Sequence, residues 1–141
     1  MPEWNPRSDG WFSGFTDGEG CFYFTTKQRH GFEVCPRFAV CLRKDDSEVL
    51  ERLRATFGGT IHLEDARRNG APNARWDVSA KADLTDLVAY FDSFPLRAKK
   101  RNDYSHWRKA VLLYAASGST HPELPALREA TREARRYTEA T

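Results

Sequence analysis

Trp11-Phe12-Ser13-Gly14-Phe15-Thr16-Asp17-Gly18-Glu19-Gly20-Cys21-Phe22 is the stretch whose reading decides the fold. It reads as a short helix running into a strand. Gly10, Gly14 and Gly18 recur at every fourth residue and so form one stripe on a helix. Each glycine costs about 1 kcal/mol relative to alanine in a helix interior. Close approach of another backbone would offset that cost. Trp11, Phe12 and Phe15 supply apolar bulk on the flanks. The helix stops at Gly18-Glu19-Gly20, and a β-type run begins. A carboxylate is thereby held at the foot of a helix whose smooth face can touch a partner.

Upstream, residues 1–7 are polar, carry two prolines and read as a tail. Ser8 or Asp9 can cap the helix by accepting from free amides of its first turn, which predicts a helix over Asp9 to Asp17. Downstream, Cys21 to His30 reads as a strand rich in aromatic and β-branched residues, Gly31 as a turn, and Phe32 to Arg43 as a second strand. Parity separates the two faces. Phe22, Phe24 and Thr26 fall on the core side with Phe38, Val40 and Leu42. The other side carries Tyr23, Thr25, Lys27 and Arg29, then Glu33, Cys35, Arg37, Ala39, Cys41 and Arg43. That side is polar and largely basic.

A second helix follows the Asp45-Asp46-Ser47 start, with Val49, Leu50, Leu53 and Phe57 at helical spacing and Gly58-Gly59 as its stop. Thr60 to Ala66 is a strand with Ile61 and Leu63 inward and Thr60, His62 and Glu64 outward. Residues 67–73 form a basic, turn-rich loop that holds Arg67 and Arg68. In the strand Arg75 to Ser79, Trp76 and Val78 face inward, and Arg75 and Asp77 outward. Asp83 opens a third helix with the stripe Leu84, Leu87, Val88 and Phe91. After the break at Phe94-Pro95-Leu96 comes the basic run Arg97-Ala98-Lys99-Lys100-Arg101, then a helix from about Asp103. Residues 117–122 are a flexible break, and Pro125 to Tyr137 is a last helix, poor in apolar residues and expected to be peripheral. The order helix, hairpin, helix, hairpin, helix makes a four-stranded antiparallel sheet with helices on one face and a polar surface on the other.

The composition agrees with a globular chain of one domain: 141 residues, 40% hydrophobic and 30% charged. No apolar run approaches the length of a membrane span, and residues 1–9 lack a signal pattern, so the expected partners include no membrane and the expected address is cytoplasmic, or organellar in a eukaryotic host. Net charge is only +2, so a nucleic-acid footprint must rest on where the basic residues lie. Three cysteines, Cys21, Cys35 and Cys41, without CxxC spacing argue against both a disulfide framework and a zinc site.

Phe12-Ser13-Gly14-Phe15-Thr16-Asp17-Gly18-Glu19-Gly20 resembles, without a gap, the nonapeptide signature of the LAGLIDADG homing endonucleases. Gly14, Asp17 and Gly20 are identical, and Glu19 takes the place of the final acid. The order of elements resembles that family from about residue 8 to residue 116. The resemblance implies an α+β fold of the αββαββα type, its saddle-shaped sheet lying in a DNA major groove, with residues 1–7 as a tail, 8–116 as the endonuclease domain and 117–141 as a C-terminal helical extension. The motif occurs once, and single-motif members pair as homodimers. The implied interface is Gly10, Trp11, Ser13, Gly14 and Asp17.

The implied activity is metal-dependent hydrolysis of both strands of a long pseudo-palindromic duplex site by an intron-encoded enzyme. Mg²⁺ is the expected cofactor, with Mn²⁺ or Ca²⁺ as alternative occupants. Glu19 and the carbonyl of Gly18 are the implied metal ligands. A hard cation of this kind needs only one or two carboxylates besides water and substrate oxygens. Asp17 is expected to hold the helix end by hydrogen bonds. The family also carries a basic residue that reaches the scissile phosphate, with Lys99 the first candidate here and Arg101 the second. Lys100 is assigned to DNA contact with Tyr23, Thr25, Lys27, Arg29, Glu33, Arg37, Arg43, His62, Glu64, Arg67, Arg68, Arg75 and Asp77. Leu42 departs from members that place a water-ordering glutamine there. The alternative reading is a non-cleaving protein of the same fold, an RNA maturase with intron RNA as partner or a DNA-binding regulator.

Overall fold

The computed structural model describes residues 3–29, 31–65, 70 and 72–136. In chain order the elements are α1 (Trp11–Glu19), β1 (Gly20–Gln28), β2 (Phe32–Arg43), a single 3₁₀ turn (Lys44–Asp46), α2 (Ser47–Phe57), β3 (Thr60–Glu64), β4 (Asn73–Val78), α3 (Lys81–Ser93), α4 (Lys100–Ser117) and α5 (Leu124–Arg135). The four strands form one sheet in the order β1-β2-β4-β3, with every neighbouring pair antiparallel. The helices cover one face. The fold is the expected α+β arrangement.

The register explains the layering. Phe22 pairs with Phe38, and Phe38 with Val78, so large apolar side chains stack on the helical side across three strands. Phe12, the first residue of the motif, is the centre of this core. Its ring lies 5.0–6.1 Å from the rings of Phe38, Phe57, Trp76, Tyr90 and Phe91. Phe22 and Trp107 extend the cluster with a centroid separation of 4.8 Å. Full burial of one such ring stabilises by roughly 1.5–3 kcal/mol. Both buried indoles satisfy their N–H: Trp76 Nε1 donates to the Gly58 carbonyl and Trp107 Nε1 to the Arg37 carbonyl, each at 2.8 Å.

Gly58 and Gly59 end α2 with φ of +84° and +89°, a region that L side chains rarely adopt. A Cβ at Gly59 would lie 2.5 Å from the Asp77 carbonyl, so the chain can approach β4 only through a residue without one.

Several local expectations shift. α1 begins and ends two residues later than its capping residues suggested. The Asp9 carboxylate accepts from the Trp11 amide at 3.1 Å, while Gly10 occupies the cap. β1 ends at Gln28, and His30 lies outside the described residues. Thr26 and Leu63 lie on the helical side by parity but are exposed, because the helices stop short of both sheet corners. Cys35 and Ala39 are buried although their parity is outward.

The last helix is not peripheral. Leu124 and Thr131 are fully buried, and Leu124 packs with Val34 and Ala110. The Ser119 carbonyl accepts from the Val34 amide at 2.9 Å, closing the edge of β2 where β4 no longer covers it. Few apolar residues suffice because α5 buries a narrow stripe against α4 and the sheet.

Candidate functional site

The site begins at the foot of α1. Glu19 is the last residue of the helix and is exposed. Its carboxylate has no hydrogen bond or ion pair among the described residues. The outer surface of the helix is formed by Trp11, Gly14, Phe15 and Gly18. A Cβ at Gly14 or at Gly18 would meet nothing within 4 Å. Trp11 is 47% exposed, and its ring stacks on Phe15 with centroids 4.8 Å apart. Gly10 departs from this stripe. It stands at the cap, and a Cβ there would touch the Phe94 ring at 3.5 Å.

Ser13 corrects the expected interface. It is 4% exposed, its amide donates to the Tyr90 hydroxyl at 3.3 Å, and its own hydroxyl donates to the Phe94 carbonyl. The side chain is consumed inside the protomer, because position 13 is turned about 100° from Gly14 around the helix, toward Tyr90 and Phe94. Asp17 does form hydrogen bonds, but to another element. Its two oxygens accept from the Arg97 and Ala98 amides at 2.9 and 3.2 Å. The carboxylate therefore fixes the turn that leads into α4 against the motif helix.

That turn delivers the basic run, and the three cations diverge. Lys99 Nζ donates to the Arg136 carbonyl at 2.7 Å. Arg101 folds back onto the carbonyls of Arg97 and Ala98 at 3.2 Å each. Lys100 alone reaches the motif helix, donating to Thr16 O at 3.1 Å and Gly20 O at 2.6 Å. The ammonium thus sits on the carbonyl end of α1, where the helix dipole favours a cation. The signal that could have singled out Lys100 is the need of free carbonyls at a helix end for a donor. Behind it, Asp103 is 3% exposed and faces Arg135, whose Nε lies 3.5 Å from its carboxylate. Burial pushes the Asp103 carboxyl up, and Arg135, Lys100 and Lys99 partly offset that. Arg135 also donates to the Phe22 carbonyl, which ties α5 to β1.

The uncovered face of the sheet holds the remaining candidates. Lys27 and Arg29 are exposed at the end of the first hairpin. Thr25 has a buried hydroxyl with no partner among the described residues. Glu33 accepts from the Ser119 hydroxyl at 2.7 Å, a contact from the α4–α5 turn that strand parity could not foresee. Arg37 donates to the Pro36 and Ser79 carbonyls at 3.1 and 3.2 Å. Arg43 forms an exposed ion pair with Asp45 at 3.2 Å. His62 is exposed and Glu64 half-buried. Arg67 and Arg68 lie outside the described residues. Tyr23, Arg75 and Asp77 come together: Asp77 accepts from the Tyr23 hydroxyl at 2.8 Å and from Arg75 Nε at 2.9 Å. Burial, then the bond to Asp77, raises the Tyr23 hydroxyl above its usual range.

Among the described residues no three His, Cys, Asp or Glu side chains gather into a metal cage. The donors at the foot of α1 are oxygens, one free carboxylate and the end of a helix, which is an open set of the kind a hard divalent cation accepts.

A sequence model for the family described as LAGLIDADG endonuclease matches residues 12–111. The chain is 34% identical over 112 residues to the "Uncharacterized 50.9 kDa protein in ND4 intron 1" of Podospora anserina, covering 74% of this chain and 24% of that protein. It is 30% identical over 119 residues to the "Probable intron-encoded endonuclease 4" of Neurospora crassa, covering 82% and 21%. The chain thus spans about a quarter or less of the length of these curated relatives. Among solved structures, the homing endonuclease I-TnaI aligns with a TM-score of 0.63 at 25% identity over 89% of this chain and 96% of that one. The LAGLIDADG meganuclease I-AabMI, solved bound to uncleaved DNA, aligns with a TM-score of 0.65 at 28% identity over 77% and 37%. With the family pattern matched across the motif, both hairpins and α4, this chain belongs to the LAGLIDADG endonuclease family.

Proposed function

We propose that two copies of the chain pair through α1 and hydrolyse both strands of a long, near-symmetric duplex DNA site with a divalent metal, Mg²⁺ first. The observation that carries this reading is Glu19: an exposed carboxylate without a partner among the described residues, at the seam between an open helix face and a polar sheet face. A structural acid would be capped or paired, as Asp17 is. Pairing of two α1 helices along Gly14 and Gly18 brings two copies of Glu19 together, one for each strand. The near-symmetry of the target then mirrors the twofold axis. The lengths of the solved neighbours support a doubled unit, since the chain covers 96% of I-TnaI but only 37% of I-AabMI.

Glu19 and the Gly18 carbonyl would hold the cation, which when bound supplies Lewis-acid stabilisation of the phosphate and a more acidic water. Each protein group has its own task. The Glu19 carboxylate holds charge at the seam. Lys100 neutralises the end of α1 and places an ammonium where negative charge grows on the phosphate. Asp17 holds the Lys100 turn against α1. Lys99 and Arg101 then serve as phosphate contacts, with Lys27, Arg29, Arg43, Arg67 and Arg68. The residues at the middle of the sheet face the base edges, and the major groove admits such a ribbon. A gene carried within an intron is supported by the names of the relatives, and a cytoplasmic or organellar site of action follows from its host.

The test is a plasmid library carrying randomised duplex inserts, incubated with the chain and Mg²⁺ or with chelator. Metal-dependent linearisation of a subset sharing one site is expected. Tight binding of one site with no cut in Mg²⁺ or Mn²⁺ would instead favour the non-cleaving alternative. Retention of structured RNA rather than duplex DNA would favour a maturase.

A further inference from the structure

The centre of the open sheet face contains a hydrogen-bonded unit built from side chains far apart in sequence. Tyr23 lies on β1 and Asp77 on β4, with β2 between them. The residue of β2 opposite Asp77 is Ala39. Because that side chain is a methyl group, the Tyr23 phenol can cross over it, and Ala39 is only 3% exposed. The Tyr23 hydroxyl donates to Asp77 Oδ1 at 2.8 Å. Arg75 Nε donates to both Asp77 oxygens at 3.0 and 2.9 Å, and Arg75 Nη2 donates to the Tyr23 hydroxyl at 3.1 Å. The guanidinium carbon stands 5.5 Å from the Tyr23 ring centroid. His62 Nε2 is 3.8 Å from Asp77 Oδ2 at the edge of the unit.

These bonds occupy Nε and one hydrogen of Nη2. Of the three remaining N–H groups, one on Nη1 and one on Nη2 point outward side by side and form the outer fork of the guanidinium. That fork matches O6 and N7 of guanine. Arg75 keeps 37% of its side-chain exposure, so the fork is reachable. Asp77 also decides between two uses of the arginine. A carboxylate this close repels phosphate oxygens and cancels most of the cation's long-range pull, which makes Arg75 a poor backbone contact. A base edge carries no net charge and suffers no such repulsion.

We infer that Tyr23, Asp77 and Arg75 act as one base-reading unit, in which Arg75 recognises a guanine in the major groove while Asp77 and Tyr23 are positioning residues that set its fork beforehand. This rests on the sheet face being a duplex-DNA surface, as proposed above. Holding the side chain in advance removes the ordering cost at binding and fixes which base pair it meets. An arginine without the buttress would sample neighbouring phosphates and lose discrimination.

Selection from randomised duplex DNA with the full chain, read base by base, tests the inference. The wild type is expected to enrich a site with a required guanine. Arg75→Lys keeps the charge but not the fork, and should cut the preference for that guanine on the order of tenfold or more, leaving other positions unchanged. Asp77→Asn and Tyr23→Phe should flatten the same position. Asp77→Asn should also bind bulk duplex as well as or better than wild type, because a negative charge is gone. Melting by circular dichroism confirms that the variants are folded. If any variant fails to fold, Tyr23→Phe, which removes one oxygen, carries the test. If Arg75→Lys and Tyr23→Phe change different positions, or lower affinity for every sequence equally, the unit is overturned while DNA binding stands. If the wild type enriches no duplex at all, both the DNA reading and the unit built on it are overturned.

Discussion

Asp103 carries its charge where the protein is almost closed to water, and what keeps it there is one arginine from the far end of the chain. Burial raises its carboxyl, so the folded state holds the proton to higher pH than the unfolded chain does. The stability this confers is fully present below the unfolded value and is lost as pH rises through the folded one. Asp103→Asn is therefore expected to flatten the fall in melting temperature as pH rises from about 4 through the weakly acidic range. Arg135→Ala leaves the carboxylate without its partner and frees the Phe22 carbonyl. We expect it to destabilise at pH 7 by about 1–3 kcal/mol, measured by urea unfolding. The double variant should recover much of that loss, since the unpaired charge is gone. The free acid of the motif could be named from sequence, because a short helix ending in Gly18-Glu19-Gly20 leaves its side chain in solvent. The cation that reaches the motif helix could not. Lys99, Lys100 and Arg101 are consecutive, and only the pitch of α4 and the clasp of Asp17 on the Arg97 and Ala98 amides turn Lys100 toward α1.

α1 is a helix of two uses, one face closing the core through Phe12, Ser13 and Thr16 and the other left open. The open face is where a second copy would sit. Gly14→Leu places a branched side chain where a Cβ now meets nothing, so the monomer fold should be unaffected. Between two helices the same side chain forces the backbones apart. Sedimentation should show a dimer for the wild type and a monomer for Gly14→Leu, with the melting of the secondary structure little changed at low concentration. An undiminished dimer would move the interface elsewhere. The same element shows why its neighbours were legible. Parity along Phe22 to Phe24 and Phe38 to Val40, and helical spacing in Leu84, Leu87, Val88 and Phe91, both report directly on which side meets the core. Ser13, part of the implied interface, spends its hydroxyl on the Phe94 carbonyl, a partner so distant in sequence that local spacing does not reveal it. α5 misled because its burial is concentrated in Leu124 and Thr131, with Arg135 supplying polar anchors that no hydrophobic pattern contains.

Across the whole molecule the net charge of +2 understates the field that a duplex would meet. Asp92 is tied to Arg108 on the helical side, and Asp86 to Arg7, whereas Lys27 and Arg29 stand exposed at the hairpin end beside the open sheet. Among the described residues no helix is long and apolar enough to cross a membrane. Binding of a specific duplex should therefore weaken steeply with salt, with log K falling against log salt at a slope of about −4 or steeper as counterions return to the phosphates. A nearly flat response would contradict the footprint. The proposed activity depends on Glu19 before any other residue, and the most direct measurement follows strand cleavage of a selected duplex by the wild type and by Glu19→Gln in Mg²⁺. The amide keeps the shape, faces no core residue and removes the charge that would hold the cation. The variant is expected to be folded and dimeric and to bind the site as tightly as wild type or more tightly, because a carboxylate beside phosphates is gone. Its cleavage of both strands should fall by orders of magnitude. A folded Glu19→Gln that still cuts at close to the wild-type rate would overturn the role of Glu19 as the metal-holding acid.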